Sequence, residues 1–314
     1  MIIAEHISKY YGAKVAVSDL TFSIKKGEVV GLLGRNGAGK TTILKILSGL
    51  LVPTAGRVRI ADIDLRDNPE SLRAQIGFLP DTPPLYPEMS VTDFLSFVAR
   101  IKGLRGPIND NVEQALIAAD LESVRNDRID TLSQGFRRRV GIAQAVVNKP
   151  ALVLLDEPTS SLDPAQVVHM RQLIRGLAHE HTIIVSSHLL SEIEKTCDRL
   201  LLLDQGKIIA EGSEQELARK ISAAINVAIE VRGSKTALEQ TLNNIADVKR
   251  HTILSDTNGI IQAKVELDHD IREELSSAVI KAGLGLRRIE GDHIELEDIF
   301  MSLTTTPNTD EVAK

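Results

Sequence analysis

Residues 34–42, Gly-Arg-Asn-Gly-Ala-Gly-Lys-Thr-Thr, restrict this chain more than any other stretch. The apolar run Val29-Val-Gly-Leu-Leu33 before them reads as a buried strand, and Ile43, Leu44, Ile46 and Leu47 after them fall at helical spacing. A strand must therefore pass into a helix through a turn built on Gly34, Gly37 and Gly39. Glycine lets the backbone turn so tightly that successive N–H groups point inward, and the helix N-terminus adds the positive end of its dipole. Such a loop suits an anion with several oxygens, so Gly34, Asn36, Gly37, Ala38, Gly39, Lys40, Thr41 and Thr42 read as a phosphate cradle. Lys40 would reach the β- and γ-phosphates of a nucleotide, and the Thr41 hydroxyl would hold Mg²⁺.

A second stretch supplies chemistry to match. Ala151-Leu-Val-Leu-Leu-Asp156-Glu157-Pro158 is a continuous apolar run ending in two acids and closed by proline. A run of that kind is a fully buried parallel strand, which would deliver Asp156 and Glu157 to its C-terminal edge. Adjacent carboxylates repel unless a cation lies near them. Asp156 would hold Mg²⁺ through water, and Glu157 would take a proton from an attacking water. The next apolar strand, Thr182-Ile-Ile-Val-Ser186, ends beside His188, where a γ-phosphate would be sensed. Gln75-Ile-Gly-Phe-Leu79 reads as another buried strand, and Asp81 stands where it would leave the core, the place where open parallel sheets handle ligands. The prolines at 83, 84 and 87 make the following loop an exposed one.

Around these stretches the chain organises plainly. Residues 1–30 alternate in two or three strands, with Ile2, Ala4, Val15, Val17, Leu20, Phe22 and Ile24 expected inward. Tyr10 and Tyr11 precede Gly12, and a ring there would either pack in the strand or stack on a base. Amphipathic stretches at 91–104 and 112–124 suggest a helical insert spanning residues 88–148. Residues 131–147 form a helix with Ser133 near its N-cap and Val140, Ala143 and Val147 on its apolar face. Arg137, Arg138 and Arg139 are expected as a solvated turn of that helix; the alternative is an acidic neighbour or a phosphate. Asp163 and Pro164 open a further helix, and 200–203 with 207–210 form a hairpin.

The net charge of −6 gives no broad attraction to nucleic acid, and no nucleic-acid partner is expected. A single cysteine, Cys197, suits the cytosol and permits no internal disulfide. No apolar run approaches the roughly 18 residues of a membrane span, and the first residues lack the pattern of a secretory leader. A membrane role would therefore require another chain.

Taken in order, residues 34–42, Leu132-Ser-Gln-Gly-Phe136, the strand ending at Asp156-Glu157, Ser161-Leu-Asp163 and His188 identify a resemblance to the ATP-binding subunits of ABC transporters. The resemblance covers residues 1–218. It implies a P-loop NTPase fold of α/β class, with a parallel core sheet, N-terminal antiparallel strands and a helical insert. It also implies ATP and Mg²⁺ as ligands, with Thr41, Asp156 and Asp81 at the metal. In that family two such domains face head to tail, so Ser133 and Gly135 would contact the γ-phosphate held by a second copy or a homologous subunit. Tyr11 becomes the adenine-stacking residue. A polytopic permease is the implied membrane partner, with this chain cytoplasmic and peripheral at the inner face. Two departures stand out: Gln134 and Phe136 alter the signature, and Asp81 replaces a loop glutamine, so it accepts hydrogen bonds but donates none. The acidic replacement and the Pro-Leu-Tyr-Pro loop resemble ABC-2-type exporters, including those of gliding motility. A soluble ATPase acting on ribosomes or DNA, or a low-turnover nucleotide-binding regulator, are the alternatives.

Residues 219–303 alternate strand and helix in the order strand, helix, strand, strand, helix, strand, a small C-terminal α+β domain of ferredoxin-like type with every strand but one evident. It shows no catalytic constellation, and either stabilises a dimer or binds a regulator. Residues 304–314 are polar and expected to be a disordered tail.

Overall fold

Two strands open the chain, β1 (Ile2–Tyr11) and β2 (Lys14–Ile24), as an antiparallel pair in the computed structural model. The structure describes residues 1–291 except 62, 107, 190–192, 215 and 218–224, so the expected domain start at 219 and the tail at 304–314 lie outside the described residues. The chain divides into two units, Met1–Glu214 and Gln215–Lys314.

In the first unit, β3 (Val29–Gly34) is buried at every position and runs through the glycine loop into α1 (Lys40–Leu47). The chain then forms β4 (Ala55–Ile60), β5 (Ile63–Asp64), α2 (Pro69–Ala74) and β6 (Ile76–Leu79). Three helices follow, α3 (Val91–Ile101), α4 (Ile108–Ala118) and α5 (Gln134–Val146). The unit closes with β7 (Leu152–Asp156), α6 (Pro164–Leu177), β8 (Thr182–Ser187), β9 (Arg199–Asp204) and β10 (Lys207–Gly212).

The strands make two sheets, β2-β1-β4-β5 and β10-β9-β3-β8-β7-β6. From β9 to β6 every pairing in the larger sheet is parallel, and only the β9–β10 hairpin is antiparallel. A parallel sheet must be covered on both faces, and the alternation of its side chains does this. Val153, Leu155, Ile183 and Val185 pack with the layer of α3, α4, α5 and α6. Leu152, Leu154, Ile184, Leu201 and Leu203 pack with α1 and the smaller sheet. The register aligns Leu33 with Ser187 and Asp156 with Ser186, so three strand ends open side by side at one edge.

Val15 departs from expectation. It lies opposite Tyr10 at the open end of the β1–β2 pair and is half exposed, whereas Ile2, Ala4, Val17, Leu20, Phe22 and Ile24 are buried. Alternation identifies a face, but the strand outruns the layer that would cover it.

The second unit contains β11 (Ile225–Arg232), α7 (Lys235–Asn243), β12 (Val248–Thr257), β13 (Ile260–Leu267), α8 (Arg272–Lys281) and β14 (Gly285–Gly291). Its antiparallel sheet has the order β12-β13-β11-β14, the ferredoxin-like arrangement, around Val227, Ile229, Val231, Leu238, Val265 and Leu275. The strand that sequence periodicity leaves obscure is β12. It is an edge strand with no fully buried residue, so its pattern is diluted by Lys249, Arg250, Ser255 and Asp256.

Candidate active site

The cradle follows from its glycines. Gly37 and Gly39 have φ of +86° and +109°, values that strain any residue bearing a Cβ. A Cβ on Gly34 would stand 2.6 Å from the Leu203 carbonyl oxygen, and one on Gly39 would stand 2.7 Å from that of Ala16. The loop is thus pressed against β9 and β2. The backbone N–H groups of Gly37, Gly39, Lys40, Thr41 and Thr42 meet no acceptor among the described residues. Helix α1 also begins without a side-chain cap and without an acid in its first turn, which leaves the positive end of its dipole available to an anion. Lys40 is only 6% exposed. Its ammonium donates to the Gly34 carbonyl at 2.6 Å and lies 3.5 Å from Glu157 Oε1. These features together fit a polyphosphate.

The acids stand where β7 ends. Asp156, buried, accepts the Ser186 hydroxyl at 2.7 Å and the Thr41 hydroxyl at 3.4 Å on the same oxygen, Oδ1. Ser186 Oγ in turn accepts the Glu157 N–H at 3.0 Å. Glu157 has φ +48°, and its carboxylate extends between two nitrogen groups, Lys40 Nζ on one oxygen and His188 Nδ1, at 2.8 Å, on the other. A carboxylate and two hydroxyls converging beside a phosphate loop form an oxygen donor set that suits a hard divalent cation. Among the described residues no group of three or more His, Cys, Asp or Glu side chains gathers as a metal site, so a metal here would depend on the nucleotide for further oxygens.

Asp81 stands apart from that cluster. Its backbone carbonyl and its carboxylate are both held by Arg138, the carboxylate at 3.2 Å. The three arginines are not solvated alike: Arg137 is exposed as expected, whereas Arg138 and Arg139 follow the alternative of an acidic neighbour. Arg138 is buried; Arg139 pairs with Asp120 at 2.6 Å and lies over the Phe136 ring; Arg137 donates to the carbonyls of Ile129 and Asp130. Helix α5 is packed by α3, α4 and the loop after β6 on the side that carries Arg138, while Ser133, Gln134 and Arg137 at its start stay exposed.

Ser133 is the N-cap of α5 and accepts the Phe136 N–H at 3.4 Å. Gly135 abuts Gln166, whose side chain a Cβ would meet at 3.0 Å. Neither hydrogen-bonds to the cradle of its own chain among the described residues. Tyr11 ends β1 with half its surface exposed, and the Lys9 ammonium lies 5.5 Å from the centre of its ring. Ser186 is the site residue that sequence reading did not single out, and for Arg138 that reading left a solvated turn and an acidic neighbour open without naming Asp81. Ser186 carries a usable signal only in the register of β7 against β8, and Arg138 carries none beyond its charge.

A family model described as "ABC transporter" matches residues 17–160. The chain is 30% identical to the linearmycin resistance ATP-binding protein LnrL of Bacillus subtilis (strain 168), over 97% of this chain and 98% of that protein. It is 35% identical to the Nod factor export ATP-binding protein I of Burkholderia orbicola (strain AU 1054), over 95% of each. Among solved structures, one described as the ATP binding subunit of an ABC transporter superposes with a TM-score of 0.63 at 30% identity, over 70% of this chain and 93% of that one. The ATP-binding cassette MJ0796, a dimer bound to ADP and Pi, gives 0.62 at 28% identity, over 68% and 98%. The chain belongs to the ATP-binding subunits of ABC transporters, and it binds ATP and hydrolyses it. No helix among the described residues is long and apolar enough to cross a membrane.

Proposed function

We propose that this chain powers an exporter by closing as a head-to-tail dimer, with a second copy or a homologous subunit, on two molecules of Mg·ATP. Lys40 and the N–H groups of residues 34–42 bind the phosphates, and Tyr11 stacks on the adenine. Thr41 and Asp156 hold Mg²⁺, which supplies positive charge to the transferring phosphoryl group. Asp81 reaches the same metal in the closed state. Glu157 takes the proton of the attacking water, and His188 holds the Glu157 carboxylate in place while sensing the γ-phosphate. Ser133 and Gly135 complete the site of the partner subunit from the N-terminus of α5, which has no ligand in its own chain to serve.

The observation that carries this reading is the placement of Glu157 between Lys40 at 3.5 Å and His188 at 2.8 Å, immediately beyond Asp156. An acid so flanked is held in place and aimed, as a general base must be. Export is supported by the relative named for Nod factor export. The transport step requires a polytopic permease, which would hold this chain at the cytoplasmic face of the membrane. The ATPase domain is read as residues 1–218, and residues 219–303 as an accessory domain.

Glu157→Gln tests the assignment. Steady-state hydrolysis is expected to fall by about 10²–10⁴-fold with ATP affinity retained. The same variant with Mg·ATP should sediment as a dimer. An unchanged rate would remove Glu157 from the role of base.

A further inference from the structure

Helix α5 lies against β6 and the loop after it along a single face. Gly141 permits the approach, since a Cβ there would stand 2.5 Å from Leu79 Cδ1 and 3.2 Å from Pro83. Towards the C-terminus, Gln144 Nε2 donates to the Phe78 carbonyl at 2.8 Å. Towards the N-terminus, Arg138 donates one guanidinium nitrogen to the Asp81 carbonyl and the other to Asp81 Oδ1 at 3.2 Å. Positions 138, 141 and 144 share one side of a helix, so three successive anchors fasten α5 to residues 78–83.

The charge pair is lopsided. The Arg138 side chain is 7% exposed and that of Asp81 is 62% exposed. A buried guanidinium is costly to leave without a partner, and the Asp81 carbonyl remains one for Arg138, whereas an exposed carboxylate can leave for water or for a cation. Arg138 is therefore the fixed member and Asp81 the one able to move. Arg138 is also a little over one turn from Ser133, the cap that begins α5.

We propose that Arg138 is a positioning residue for Asp81: it holds that carboxylate on α5 with its charge neutralised, so that Mg·ATP and Arg138 compete for the same acid. The inference rests on reading Asp81 as facing the nucleotide's metal. Metal binding would then loosen one of the three anchors between α5 and the β6 loop, and the N-terminus of α5 that serves the partner subunit would gain freedom only when the chain's own site is loaded. The glutamine usual at this loop position carries no charge for a guanidinium to neutralise.

The test titrates Mg²⁺ at saturating ATP and reads the ATP-induced rise in Tm for the full chain, for Arg138→Gln, for Asp81→Asn and for the double variant. Freeing Asp81 should lower the half-saturating Mg²⁺ about threefold or more in R138Q. In the absence of the carboxylate the arginine should no longer matter, so D81N and the double variant should agree within about twofold. Arg138→Lys, which keeps the charge but not the fork, should fall between wild type and R138Q. An equal shift from R138Q with and without Asp81 would overturn the inference. Should R138Q fail to fold, D81N alone decides: it should raise the half-saturating Mg²⁺ at least twofold, and no change rejects the competition. A wild-type protein that ATP does not stabilise at any Mg²⁺ concentration would sink the site reading, and the inference with it. ATP stabilisation without coupling would sink only the inference.

Discussion

Glu157 and Ser161 both hold positive φ, +48° and +63°, in the turn that leaves β7. For residues with a Cβ this costs roughly 1–3 kcal/mol each, and packing around the turn must supply it. The gain is aim, since the Glu157 carboxylate leaves the end of a buried strand directly towards Lys40 and His188. That Asp156 and Glu157 end a strand is legible in residues 151–158, because five apolar residues have no other use for two acids. The flanking by Lys40 and His188 is not, because those groups come from α1 and from the end of β8. Lys102 illustrates a single residue governed by burial. Its ammonium donates to the carbonyls of Gln144 and Ala145 and to Asn148 Oδ1, closing the C-terminus of α5. Burial lowers it from its ordinary 10.5 to about 8, while those acceptors and the helix dipole favour the charged form and limit the cost. Since the folded value is the lower one, the unfolded chain binds more protons between about pH 8 and 10.5, and stability rises with pH across that window. The cost is fully present below pH 8, with on the order of 3 kcal/mol as its upper bound. Urea unfolding at pH 7.5 and 9.5 should show this rise in wild type, and Lys102→Met should flatten it.

Among elements, α5 departs most from its sequence reading. The run Arg137-Arg-Arg139 has the look of a solvated turn, yet each arginine is engaged, because the helix is packed by the insert on one side and by β6 on the other. Periodicity reports which residues of a helix are apolar; it does not report how close the neighbouring backbone comes. Glycines do carry that information once the partner is known. A Cβ on Gly77 of β6 would stand 2.3 Å from the Ala145 carbonyl oxygen, a backbone atom held within α5, and 3.1 Å from the Pro150 ring. Gly77→Ala should therefore push α5 off the sheet and destabilise the protein by about 1–3 kcal/mol in urea unfolding. It should also weaken ATP-dependent dimer formation, since Ser133 sits at the other end of the same helix. A shift of less than about 0.5 kcal/mol would mean that the helix yields at little cost. The strands of the core sheet, by contrast, were evident as apolar runs, while β12 was hidden by its position at an edge.

For the whole molecule, each unit has its own core: two layers around the larger sheet in the first, and a separate cluster under the sheet of the second. The full-length relatives match through both units, whereas the solved cassettes cover about 70% of the chain. The 1–214 fragment should consequently fold cooperatively and bind ATP as the full chain does; a fragment that is soluble but unfolded by circular dichroism would show that the second unit is needed. Co-expressed with a polytopic membrane protein from its native gene neighbourhood, the full chain should co-purify with that protein in detergent. Recovery with ribosomes at physiological salt would instead reject the transport role.

By itself the sequence determined the glycine loop, the buried strands, the acids at a strand end and the family, because these are local: spacing, periodicity and backbone freedom act within a few residues. Only the tertiary structure decided that Ser186 joins Asp156 to Glu157, that His188 and Lys40 flank the base, and that Arg138 holds Asp81. Each joins residues about 30 to 120 positions apart, and no local pattern records which strand lies beside which or how closely a helix approaches a sheet.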